Sequence, residues 1–224
     1  MQCLVSRAGS LGRIGESGSG HLLWQAGRLP LHKPAATPAF GGTRHDMNTS
    51  LKPGQLRPVI SAEQIQKRVR ELARQISDDY QGKTIHALAL LENGFIFMAD
   101  LVRALEVPVV CTFVKPRYRK QQGGGSEVLE ILFTHELDIR DKDLLLVEGL
   151  VHSGVTSEFL MNDLQARGAA SVKLVTLLDR QSARRVQLQP DYFGFLVDDA
   201  FLVGYGLGSP EQVNRNLAYL ASPS

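Results

Sequence analysis

From Ser61 onward the apolar residues recur in two patterns, helical spacing alternating with short unbroken runs. Ile65, Val69, Leu72 and Ile76 fall three or four residues apart behind a Ser61/Gln64 capping box, which predicts a first helix from about Ala62 to Tyr80, ended by Gly82. Ile85 to Leu91 is a continuous apolar run of strand length; Asn93-Gly94 then marks a tight turn, and Phe97, Leu101 and Leu105 line one face of a second helix. Further strands are predicted at Val109 to Val114, Val128 to Phe133, Leu144 to Val147, Val172 to Leu178, Tyr192 to Val197 and Phe201 to Val203. The polar, basic PRYRKQQGGG of Pro116 to Gly125 reads as a mobile loop of the kind that forms lids. His86 and Cys111 lie in apolar strands and read as packing residues. Alternating strands and helices imply an α/β fold with a mostly parallel central sheet. Ligands then belong at the carboxyl ends of the strands, where Glu92, Glu148 and Arg180 fall.

One stretch carries chemistry. In Asp143 to Glu158, DLLLVEGLVHSGVTSE, the buried run Leu144 to Val147 should end near Glu148, and His152-Ser153-Gly154-Val155-Thr156 then leads into a helix with Phe159, Leu160 and Leu164 on one face. Backbone N–H groups of a tight loop at a helix N-terminus converge on an anion, and the hydroxyls of Ser153 and Thr156 add donors, so a phosphate monoester fits there. The same spacing also suits a plain strand-loop-helix connection with Ser or Thr as the N-cap.

Composition narrows the class only a little. At 224 residues the chain can bury a sizeable core, and two cysteines, Cys3 and Cys111, give no disulfide framework and suit a reducing cytoplasm. No apolar run approaches the roughly 18 residues of a membrane span. Residues 1–46 carry five basic residues against two acids, which leaves 20 basic and 21 acidic residues in the remainder. The body is close to neutral, so charge supplies no argument for nucleic-acid binding. Rich in Gly, Ser, Pro and Arg and without sustained periodicity, residues 1–46 read either as a disordered extension or as sequence ahead of a true start at Met47, with 47–224 as a single domain.

The cradle resembles the phosphoribosyl pyrophosphate (PRPP) loop of type I phosphoribosyltransferases: an apolar strand, two acids, two aliphatics, then Asp-Thr/Ser-Gly-x-Thr. The segments ISAEQIQKRVRELARQISDDYQGK, ENGFIFMADLVRAL, RGAASVKLVTLLDRQSARR, QPDYFGFLVDDAFLVGYGLG and RNLAYL extend the resemblance, in order, to the hypoxanthine(-guanine) group of that family. It implies the type I fold with a small hood near the C-terminus, and transfer of 5-phosphoribosyl from PRPP to hypoxanthine or guanine, giving IMP or GMP and pyrophosphate with Mg2+. It also implies a homo-oligomer in the cytoplasm, with no nucleic acid or membrane partner. By resemblance Ser153, Gly154, Val155 and Thr156 bind the 5-phosphate, and Glu148 is the first ribose-binding acid, with an indirect contact to the metal. His152 stands at the general base and Arg180 at the donor to the purine 6-oxo group. Phe201 stacks on the purine, while the backbone of Leu202 reads its edge. Asn93 and Gly94 form the pyrophosphate turn, Arg215 lies near it, and Tyr118 belongs to the lid.

The departures cluster where chemistry is expected. Gly149 replaces the second ribose acid, His152 an aspartate, Gly208 a further aspartate and Glu92 the lysine of the turn, while Pro116-Arg117-Tyr118-Arg119 keeps only Tyr118 of the family's Ser-Ser-Tyr-Gly. A lost charged hydrogen bond costs about 1.5 to 3 kcal/mol, so two such losses slow turnover by roughly a factor of 100 or more. A histidine can still accept a proton near neutral pH. Two expectations therefore stand side by side: a purine-salvage enzyme of impaired activity, and a degenerate paralogue that binds nucleotide or regulates by pairing with an active homologue.

Overall fold

The structure is a computed structural model and describes residues 56–120, 127–133, 138–198, 201–208 and 214–223. The extension expected at 1–46 and residues 121–125 of the expected lid lie outside the described residues. Strand β1 (Leu56–Ile60) leads into helix α1 (Ala62–Asp79), followed by β2 (Ile85–Leu90), α2 (Phe95–Ala104), β3 (Val109–Lys120), β4 (Glu127–Phe133), β5 (Asp143–Val151), α3 (Val155–Ala166), β6 (Ser171–Asp179), β7 (Tyr192–Leu196) and β8 (Leu220–Pro223). The six-stranded sheet has the order β4-β3-β2-β5-β6-β7; all its pairs are parallel except β3 with β4.

The α1 boundary follows from its cap. The Gln64 N–H donates to Ser61 Oγ (3.3 Å) and the Ser61 N–H donates to Gln64 Oε1 (2.8 Å), which satisfies two donors that no helical carbonyl can reach. Side-chain alternation along β5 divides the core. Leu145 and Val147 join α1 and α2 on one face, whereas Leu144 and Leu146 join Leu160 and Leu164 of α3 on the other. The expected hood is present and draws on both ends of the described chain: β1 pairs antiparallel with β8, and Val203 bridges to Ala221.

Four expectations are corrected. Pro116 to Lys120 is strand, paired with β4, and not part of a loop. Val114 offers its carbonyl to the Leu91 N–H, and alternation turns Pro116 to that same side, beyond the end of β2, so its missing donor leaves no gap in the β3-β4 ladder. The strand expected to stop near Glu148 continues to Val151: β2 pairs only as far as Val147, but β6 follows β5 onward. Phe201 to Val203 is not a strand, because its neighbourhood is set by the single bridge to the hood. Cys111 is exposed and does not pack into the core.

Candidate functional site

Past Val147 the β2 edge of β5 is open, and the turn from Leu91 to Gly94 fills it; the Leu91–Glu92 peptide is cis. The fit there is close. A Cβ on Gly149 would collide with the Asn93 carbonyl oxygen and lie 2.9 Å from its carbon, with Leu207 Cδ2 at 3.2 Å. Glycine within a strand marks such an approach of backbones. The missing acid and the turn are thus one feature, since the volume next to Cα of residue 149 belongs to Asn93.

Alternation places Glu148 on the opposite face, toward α3, where it is 7% exposed. Burial pushes its carboxyl up to about 7, against smaller lowering effects of the Ser157 hydroxyl, which donates to it, and of Arg184 nearby. Its Oε1 is buried with no hydrogen-bond partner. The Ser157 contact ties Glu148 to the first turn of α3. A cleft of about 140 Å³ opens between these pieces, lined by Asn93, Pro116, Glu148, Gly149 and Thr156 together with Leu90, Leu91 and Leu150.

The second half of the loop is built differently. The N-cap of α3 is Gly154, in the left-handed region at φ 78°, and not Ser or Thr; Ser153 Oγ accepts from the Val155 N–H at 3.5 Å. The segment after β6 lies along this loop, with the Arg180 N–H donating to the Val151 carbonyl and the Arg185 N–H to that of Ser153, both at 3.0 Å. That contact brings Arg180 Nη1 to 3.3 Å from Nδ1 of the exposed His152. A guanidinium only donates, so Nδ1 is the acceptor and the neutral ring carries its proton on Nε2.

Around the turn, charge is balanced internally. Lys115 Nζ lies 2.9 Å from Glu92 Oε1, and Arg215 Nη2 lies 3.9 Å from Oε2. Arg215 also donates to Asn93 Oδ1 at 2.8 Å and to the Gly206 carbonyl. Of the residues singled out in the sequence, the structure unites Asn93, Glu148 and Thr156 on one cleft, Arg180 with His152, and Arg215 with Asn93. Gly94 caps α2 beside Leu90 and Val147. Leu202 is buried, whereas Phe201 is 49% exposed and enters none of these hydrogen bonds or ion pairs. Tyr118 lies in β3 opposite Leu129, and its side chain is outside the described residues. Sequence reasoning missed Lys115 and Arg184, whose only signal was proximity to a motif.

A model of the phosphoribosyl transferase domain matches residues 61–210, and the chain belongs to that family. A hypoxanthine-guanine phosphoribosyltransferase of Bacillus subtilis (strain 168) is 35% identical over 162 residues, 72% of this chain and 89% of that one. One from Mycobacterium avium is 35% identical over 179 residues, covering 77% and 88%. Among solved structures, a hypoxanthine-guanine phosphoribosyltransferase of Bacillus anthracis str. 'Ames Ancestor' superposes with a TM-score of 0.67 at 34% identity, over 74% of this chain and 95% of that one. The type I fold implied by the resemblance is the fold of these relatives, and the mostly parallel sheet read from the alternation of strands and helices is its centre.

Proposed function

We propose that the chain is a purine-salvage phosphoribosyltransferase that transfers 5-phosphoribosyl from PRPP to hypoxanthine or guanine, giving IMP or GMP and pyrophosphate. The observation that carries this is the placement of the Ser153–Thr156 loop, with its left-handed Gly154, at the end of β5 and against the first turn of α3. In that position N–H groups without helical acceptors face a bound 5-phosphate. Val155 contributes its backbone, and the hydroxyls of Ser153 and Thr156 complete the cradle.

The purine end works through His152 and Arg180. In the free protein Arg180 holds Nδ1 of His152. Turning Arg180 to the purine 6-oxo oxygen releases Nδ1, which then accepts the proton on N7 as bond formation proceeds at N9. The two residues thus exchange partners in one rearrangement. Phe201, half exposed, supplies a face for the purine ring, and the Leu202 backbone its edge contacts. Asn93, Gly94 and Arg215, with Tyr118 from β3, take the pyrophosphate side, and Glu148 the ribose.

Among the described residues no group of three or more His, Cys, Asp and Glu could hold a metal ion, and the acid on the cleft, Glu148, is buried, bonded by Ser157 and half-protonated near neutral pH. In this reading magnesium would enter with PRPP, and Glu148 would meet it only indirectly. The family's homo-oligomeric habit is carried over as part of this proposal; among the described residues no helix is long and apolar enough to cross a membrane.

The test is conversion of hypoxanthine and guanine to IMP and GMP by the full chain with PRPP and magnesium. Turnover slower than that of the Bacillus subtilis relative is expected. No product at substrate levels that saturate the relative would sink the enzymatic reading in favour of the nucleotide-binding paralogue.

A further inference from the structure

Asp179 closes β6 at 1% exposure, and its carboxylate accepts from Gln181 Nε2 at 3.3 Å and pairs with Nη2 of Arg184. Arg184 is itself only 12% exposed. The pairing accounts for one end of its guanidinium. The other end, Nη1, is buried with no hydrogen-bond partner. It lies against Gly154: a Cβ built there would stand 3.0 Å from Arg184 Cδ and 3.1 Å from Nη1. Glycine is thus required at the α3 N-cap twice over, by its positive φ and by the guanidinium packed on it.

A buried N–H without an acceptor is rare in a folded protein, and its setting here explains it. Around Gly154 lie further donors, the first-turn N–H groups of α3, which lack helical acceptors, and the hydroxyls of Ser153 and Thr156; besides Asp179, the acid that feels Arg184 is Glu148, which accepts from Ser157 and makes no hydrogen bond with Nη1. Such a concavity is complete only when an oxyanion enters, and a guanidinium suits a tetrahedral phosphate because its planar N–H fork matches two oxygens.

We propose that Arg184 is a direct ligand of the monophosphate held by the Ser153–Thr156 loop, donating through Nη1 while Asp179 fixes the guanidinium through Nη2. The inference deepens the phosphoribosyl reading of this loop and rests on it.

Calorimetric titration of the full chain with IMP, ribose 5-phosphate and inosine tests it. In Arg184→Gln the affinities for IMP and ribose 5-phosphate fall at least tenfold, while that for inosine stays within twofold. Because this variant strips Asp179 of its cation, the double variant Asp179→Asn/Arg184→Gln, which removes both charges together, is titrated beside it and shows the same selective loss. Arg184→Lys keeps the charge without the fork and loses less. Binding of IMP within twofold of wild type by either folded glutamine variant overturns the proposal, as does an equal loss for inosine. A wild-type chain that binds no monophosphate overturns both this and the reading of the loop. One that binds IMP but forms none from hypoxanthine and PRPP overturns only the enzymatic reading.

Discussion

Two segments of this site, each assigned a phosphate group of PRPP in the proposed reading, are built on opposite plans. The Ser153–Thr156 loop gathers donors: a helix N-terminus, two hydroxyls and the buried, unpartnered Nη1 of Arg184. The turn from Leu91 to Gly94 has turned inward. Its Asn93 carbonyl occupies the space beside Gly149, the side chain of Asn93 accepts from Arg215, and Glu92 sits between Lys115 and Arg215. The first segment is waiting for an anion, and the second already contains one. Binding at the first costs little reorganisation, whereas pyrophosphate at the second must compete with Glu92 for the same cations. Two of the departures thus adjoin, since Gly149 lies against Asn93 in the same turn that carries Glu92.

The contrast can be broken most forcefully at Gly149. Restoring an acid there with Gly149→Asp should lower stability by about 3 kcal/mol, because the first side-chain atom meets backbone and no rotamer avoids it. A thermal melt checks this. An unchanged melting temperature together with higher turnover would show that the turn yields readily and that the acid was merely lost.

Next in size is the titration of Glu148. Its carboxyl is raised from 4.5 to about 7 by burial, so between those values the folded chain keeps a proton that the unfolded chain has released. Unfolding then liberates a proton, and stability falls by on the order of 3 kcal/mol as pH rises through that window, levelling off above it. Asp79, held by Tyr192 and Lys173, and Asp143, held by Ser171 and Lys83, are depressed, so their contributions are present above the usual carboxylate range and lost only in stronger acid. Urea melts from pH 5 to 8 should show the decline in wild type and lose it in Glu148→Gln, leaving the rise toward pH 6.5 contributed by His86, which burial depresses. A decline that survives the substitution would assign it to another group.

A smaller effect is expected from Glu92→Lys. Replacing the internal anion with a cation should lower the KM for PRPP about fivefold, with kcat changed less, since the charge acts on binding. Steady-state kinetics at two salt concentrations would check it, the gain shrinking at the higher one. Smallest of all, Lys115→Ala should cost under about 0.5 kcal/mol in a melt, because both partners of that pair are substantially exposed.

Much of this architecture could be read from residues alone. The helix behind Ser61, the buried runs of β2, β5 and β6 and the loop that leads into α3 follow from period, capping and Gly placement, which are local properties. The missed features depend on what lies alongside. Pro116 looks like a loop residue until the end of β2 leaves one edge of β3 open, and Gly149 looks like a strand break until Asn93 is seen against it. Arg184 is one arginine in the run RQSARR, and nothing in that run tells which guanidinium turns inward. The hood was expected only through the resemblance, and its strands escaped for the same reason, since β1 and β8 are short and meaningful only as a pair.

That pairing also bears on how the protein is made. The ribosome releases β1 before any of the large sheet and β8 only after all of it, so the two strands cannot meet until every strand of that sheet has been made. Closing so long a loop carries an entropic cost that the preassembled sheet reduces, since it already holds the two ends near each other. The growing chain would complete its phosphate loop while still tethered, and fasten the clasp that carries Val203 and its neighbours into place as a final step.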